Sequence, residues 1–143
     1  MKTGLARMGA TALSFFIAAG AHAGVFEDWG CRMEIRFSGY PDANDSLTNF
    51  PALVVLTDGS NGVNFADFNS DGTNAWADLR FAGGDESTNL NYEVEAWDDA
   101  ASNSWIWVQV PVLTNNAIIY AYWGKSGERT PAYSTNGAAW SEG

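Results

Sequence analysis

The chain has 143 residues, a net charge of −10 and 46% hydrophobic side chains, which suits one domain with its own core. So acidic a surface repels phosphate backbones, which argues against nucleic acid as a partner and suits divalent cations or neutral sugars better than anionic ligands. A single cysteine, Cys31, excludes an internal disulfide, so any stability must come from packing and hydrogen bonds.

The first segment reads as a leader. Residues 1–7, MKTGLAR, carry Lys2 and Arg7, MGATALSFFIAAGA is apolar, and AHA closes the segment with small residues around His22. This is the pattern of a secretory signal peptide, with cleavage expected after Ala23. The apolar run is too short and too rich in glycine for a membrane anchor, and no later segment is apolar for long enough to span a bilayer. The mature chain is expected outside the cytoplasm, whether secreted, periplasmic or on the cell surface. Loss of Lys2 and Arg7 takes its net charge from −10 to −12. Loss of His22, the only histidine, removes Ser–His and Cys–His nucleophile systems and most zinc chemistry. Cys31 does not directly follow the cleavage site, as a lipid-modified cysteine would, and reads as a small apolar residue.

The rest has almost no helical period. Short alternating or continuous apolar runs are CRMEIRF (31–37), PALVVL (51–56), ADLRFA (77–82), NYEVEAW (91–97), WIWVQVP (105–111) and AIIYAYWG (117–124). Clusters of Gly, Asn, Asp and Ser separate them, so these runs predict an antiparallel all-β domain. Pro111 is expected to end its strand, because it has no N–H for the ladder.

Strand parity then assigns faces. Leu79 and Phe81 point one way, Asp78 and Arg80 the other. Tyr92, Val94 and Ala96 share a face, opposite Glu93, Glu95 and Trp97. Ile106, Val108 and Val110 face the core, opposite Trp105, Trp107 and Gln109. If these strands are neighbours, one face is aliphatic and the other gathers three tryptophans with Arg80, Glu93, Glu95 and Gln109.

The ordered set WGCR, LTNFPALVVL, ADLRF, NYEVEAW, WVQVP and IYAYWG resembles the bacterial and archaeal domain of unknown function family 2341, over about residues 29–136. The resemblance implies an exported envelope or surface module. Such modules often precede a concanavalin A-like (laminin G-type) lectin sandwich, and some occur with a proton-channel component of the MotA/TolQ/ExbB type. The tail AYSTNGAAWSEG resembles the linker into such a lectin domain. Cys31, Gln109 and Lys125 depart from the residues usual in the family. No activity is established for it, so the resemblance implies architecture and context rather than chemistry.

Three candidate sites follow from the residues. In DFNSDGTNAWAD, Asp67, Asn69, Asp71 and Asp78 with Gly72 match much of a calcium loop, whose alternate oxygens suit a hard cation. Its flanks are not helices, however, and its last position is Asp rather than the longer Glu, which favours a solvated Asx-turn loop with calcium as the alternative. Arg80 with Glu93 and Glu95 reads first as cross-strand pairing, with a buried Arg80–Glu95 pair fixing register, and second as a polar ligand cluster. Glu93 and Glu95 lie roughly 7 Å apart along a strand, inside the 5–9.5 Å range of glycosidase carboxylates. A chain this short leaves little with which to build a catalytic cleft, so no catalytic residue is assigned. Trp97, Trp105 and Trp107 either stack on sugar rings or pack under a second sheet or domain.

These readings combine into a single antiparallel, jelly-roll-like β-sandwich over residues 25–136. It follows a signal peptide at 1–23 and leads into a linker at 137–143, which suggests the N-terminal module of something longer or a trimmed chain. The expected role is a non-catalytic extracytoplasmic module that needs no cofactor and either binds glycan or docks a neighbouring lectin-like domain. The rival reading is a structural scaffold of the cell envelope. A calcium-binding module and a glycoside hydrolase accessory rank below both.

Overall fold

The structure, a computed structural model, describes residues 24–38 and 45–141. The expected signal peptide therefore lies outside the described residues. The described residues form six strands: β1 (Cys31–Arg36), β2 (Leu47–Thr57), β3 (Arg80–Gly83), β4 (Tyr92–Asp98), β5 (Asn103–Leu113) and β6 (Ile118–Trp123). Each expected run overlaps one of them. The remaining ordered turns are short 3-10 segments at Phe65–Asp67, Ala132–Ser134 and Ala138–Trp140.

The strands divide into two antiparallel three-stranded sheets, ordered β1-β6-β3 and β2-β5-β4. The fold is all-β and sandwich-like, smaller than a jelly roll, which uses eight strands in two Greek keys. Only β4 and β5 are consecutive strands paired in one sheet, joined through a tight turn in which Ser102 adopts φ 58°. Elsewhere the chain changes sheet after every strand, which sews the layers together.

The core lies between the inner faces. One sheet contributes Val54, Leu56, Tyr92, Ile106 and Val108, the other Phe81, Ile119, Ala121 and Trp123, and all are buried. The expected core positions Leu79, Phe81, Ile106 and Val108 are fully enclosed, while Val94 packs at the margin. Burial of this kind supplies the main favourable term of folding.

Two strand details differ from expectation. Pro111 does not end β5, which runs on to Leu113. The Gln109 N–H donates to the Asn91 carbonyl on the β4 side at 2.9 Å, so two residues later Pro111 points its nitrogen toward that same side. β4 begins only at Tyr92, so no ladder bond is lost there. Pro51 is opposite Gln109, and its nitrogen points to the free edge of β2 by the same alternation.

The second difference is a bulge. Val94 pairs with Ile106 and Ala96 with Trp105, so one extra residue enters β4 between them. Parity reverses beyond that point. Ala96 becomes exposed, and Trp97 turns inward to stack on Phe65 at 4.6 Å and meet Phe68 edge-on at 4.9 Å. Trp97 is thus a packing residue at the core margin, not a member of the outer face with Trp105 and Trp107.

Candidate functional site

Four of the six sequence stretches that carry the family resemblance converge on one buried polar node. Asp78 is fully enclosed, and its carboxylate accepts four N–H groups, from the Asn69 backbone (2.9 Å), the Asn69 amide (2.9 Å), Gly124 (2.7 Å) and Lys125 (2.9 Å). The irregular segment Ala77–Leu79 cannot use a ladder, so side chains satisfy its carbonyls. Trp29 Nε1 donates to Asp78 O (2.8 Å), Tyr92 OH to Leu79 O (2.7 Å), and Arg80 Nη1 to Ala77 O and Leu79 O (2.9 and 2.7 Å). Burial pushes the Tyr92 phenol well above its ordinary range, which keeps it a donor. Gly124 has φ 84°, and a Cβ there would come within 3.2 Å of Cys31 Sγ, so the turn that meets Asp78 calls for glycine. WGCR, ADLRF, NYEVEAW and IYAYWG therefore describe one structural knot.

The acidic loop belongs to that knot as well. Asp71 Oδ1 accepts from Thr73 N and Asn74 N (2.9 and 3.0 Å), and Oδ2 accepts from Thr130 N and Oγ1 (3.1 and 2.8 Å). Asp71 and Asp78 are thus spent on different N–H and O–H donors, and Asn69 acts as a donor rather than a ligand. Asp67 lies in the 3-10 turn that precedes the loop. Among the described residues, no three His, Cys, Asp or Glu side chains come together as a metal site. The loop is an Asx-turn staple to Thr130. The hydrogen bond from Asn74, then those from Thr130, hold the Asp71 carboxyl well below the usual carboxylate range. A pKa lowered on folding means that this staple stabilises above the ordinary carboxylate pKa and is lost as pH falls below it. A micromolar calcium site in millimolar calcium would add about 4 kcal/mol. Calcium is expected to leave the melting temperature unchanged, and a rise abolished by Asp71→Ala would show the opposite.

Arg80 is not with Glu93 and Glu95. Parity placed all three on one face, but β3 pairs with β6 in the other sheet, while Glu93 and Glu95 belong to β4. Arg80 is buried, with Nη2 on Glu128 Oε2 and on Arg129 O, both at 3.0 Å, and its guanidinium lies 5.7 Å from the Trp29 ring. Lys125 caps the same ring at 4.2 Å. The expected register-fixing pair with Glu95 does not form; Arg80 instead pairs through one guanidinium nitrogen with Glu128, which lies beyond β6 and outside any strand. Arg80→Ala leaves that carboxylate and three carbonyls short of a donor and is expected to cost about 3 kcal/mol. Glu95→Ala, at an exposed position, should leave the denaturation midpoint almost unmoved.

The outer face of the β2-β5-β4 sheet has a different character. Register aligns Leu53, Trp107 and Glu93 in one row, and Val55, Trp105 and Ala96 in the next. Leu53 and Val55 are 44% and 48% exposed, and both tryptophans are half-buried. Trp107 Nε1 donates to Glu95 Oε2 at 2.6 Å. The last described residues lie across this face: Trp140 sits 5.3 Å from Trp107 and donates to Glu93 Oε2 (3.2 Å), while Gln109 Nε2 donates to Ser141 O (2.6 Å). Residues 138–141 therefore pack against the domain, and Ala139 is fully buried. Trp140 is the site residue that parity missed, since it sits in a 3-10 turn outside any strand. The result is an aromatic platform with aliphatic residues on one flank and carboxylates and an amide on the other.

The opposite outer face is internally paired. Arg32 forks onto Glu86, Tyr122 also donates to Glu86, and the Arg32 guanidinium stacks on Tyr120 at 3.9 Å. Burial, then the hydrogen bond to Glu86, pushes the Tyr122 phenol up to about 12. Cys31 is partly buried against the core, and its thiol is raised by burial and then by the charges of Asp67 and Asp78. That disfavours the thiolate a nucleophile needs.

The fold and this face together define a small all-β, sandwich-like module with one aromatic and acidic surface. Residues 75–140 match the family described as Domain of unknown function (DUF2341). No curated protein and no solved structure matches. Among the described residues, no helix is long and apolar enough to cross a membrane.

Proposed function

We propose that this is a non-catalytic extracytoplasmic module that binds neutral glycan on the outer face of the β2-β5-β4 sheet. The observation that carries the reading is the indole pair Trp107 and Trp140, held 5.3 Å apart at 53° with each Nε1 anchored to a carboxylate. Anchored indoles are pre-organised to stack on the C–H faces of sugar rings, which lowers the ordering cost of binding. Glu93, Glu95 and Gln109 then border the platform as hydroxyl partners. Glu93 and Glu95 each orient a tryptophan, a positioning role rather than that of an acid and base pair. The leader-type N-terminus supports an extracytoplasmic setting.

The same face supports a second reading, docking of a neighbouring lectin-like domain, because Leu53 and Val55 lengthen the apolar surface beyond one sugar's width. A purely structural envelope scaffold, including one that serves a MotA/TolQ/ExbB-type system, rests on family context alone. A glycan array probed with the purified chain distinguishes these: retention of a neutral oligosaccharide that Trp107→Ala abolishes supports recognition. Silence across the array, with tight binding to a lectin-type domain, supports docking.

A further inference from the structure

A sheet edge exposes unpaired N–H and C=O groups, and proteins protect such edges with charge, proline, bulges, shortness or cover. The central strands here, β5 and β6, carry no charged residue, as befits strands paired on both sides. Three of the four edge strands are protected. β1 carries Arg32, Glu34 and Arg36. β4 carries Glu93, Glu95 and Asp98 and is bulged. β3 is short, and residues 88–90 lie along it, with Gly83 N donating to Thr88 O and Leu90 N to Phe81 O, both at 2.9 Å. β2 is the least protected: Pro51 blocks one edge position, but among the described residues nothing covers the rest, and LTNFPALVVLT is an eleven-residue outer strand without a single charge.

We infer that β2 is completed by the β2 strand of a second copy of this chain, paired antiparallel across a two-fold axis. An antiparallel strand pairs symmetrically with itself, which suits an isologous interface. Two copies of net charge −10 repel each other least where charge is missing, and the edge left neutral is this one. A basic partner would be recruited by acids, and β2 offers none. The register follows from Pro51. Its nitrogen faces the free edge, as do the N–H groups of Leu53, Val55 and Thr57, while the alternate residues bond to β5. Pairing centred on Leu53 would set Pro51 against Val55 and lose a ladder bond. Pairing centred on Val55 sets Leu53 against Thr57 and keeps the ladder. It also joins Leu53 and Val55 of both copies into one apolar row on the outer face. The inference does not depend on glycan binding, which has its own readout.

Sedimentation velocity of the purified chain from micromolar to submillimolar concentration is expected to show a monomer–dimer equilibrium. Val55→Pro removes only an outward N–H, as Pro51 already does, and Val55→Lys sets two cations side by side in the dimer. Each is expected to weaken dimerisation by about tenfold or more, while Val112→Lys, at a 56% exposed position off this edge, leaves it intact. Hydrogen exchange on the unsubstituted chain gives a check that needs no variant: the Leu53, Val55 and Thr57 amides should gain protection as concentration rises. A chain that stays monomeric throughout, or a dimer unmoved by both Val55 substitutions and without that protection, would overturn the inference.

Discussion

Asp78→Ala is expected to destabilise the domain by about 4 kcal/mol or more, at ~1–3 kcal/mol for each buried donor left unpaired and with partial rehydration of the rest. Four N–H groups from two separate turns converge on this one enclosed carboxylate. The 67–78 loop and the Gly124–Lys125 turn would lose their shared anchor together. Asp78→Asn keeps the size and one acceptor oxygen but sets an NH2 donor against an N–H, and should recover only part of the loss. Equilibrium denaturation checks this, and a midpoint within experimental scatter of the parent would mean that the carboxylate is not the centre of the knot.

Phe81→Ala is expected to cost about 3–5 kcal/mol, the usual range for a buried aromatic. Phe81 is fully enclosed and meets Tyr92 edge-on at 5.2 Å, a contact from one sheet to the other. The loss should therefore appear as global destabilisation rather than local fraying, and the Tyr92 hydrogen bond to Leu79 O should loosen with it. A denaturation midpoint that barely moves would contradict the packing described for the two sheets.

The strands were legible because each alternates or is continuously apolar between turn formers, a local signal that tertiary packing had no reason to override. Sheet membership was not. ADLRF and NYEVEAW are neighbours in sequence, and parity alone put Arg80 beside Glu95, whereas the chain crosses to the other layer between them and Arg80 meets Glu128. Trp97 was misassigned because one extra residue in β4 reverses every side chain after it, and no residue in YEVEAW announces that bulge. The acidic loop resembled a calcium loop because Asx-turns and cation loops use the same short oxygen-bearing residues at similar spacing. What separates them is where the oxygens point, and Thr130 lies too far along the chain to be read as a partner. Trp105 and Trp107 were placed correctly, since β5 is regular through both.

The central assignment is that the Trp107–Trp140 platform binds neutral glycan. Isothermal titration of the purified chain with soluble β-glucan, xylan and chitin oligosaccharides, with tryptophan fluorescence followed in parallel, tests it most directly. The assignment predicts saturable binding to at least one oligosaccharide series with a change in indole emission, both lost in Trp107→Ala while the denaturation midpoint stays close to the parent. Binding that survives Trp107→Ala unchanged, or no heat and no spectral change with any series, would contradict it.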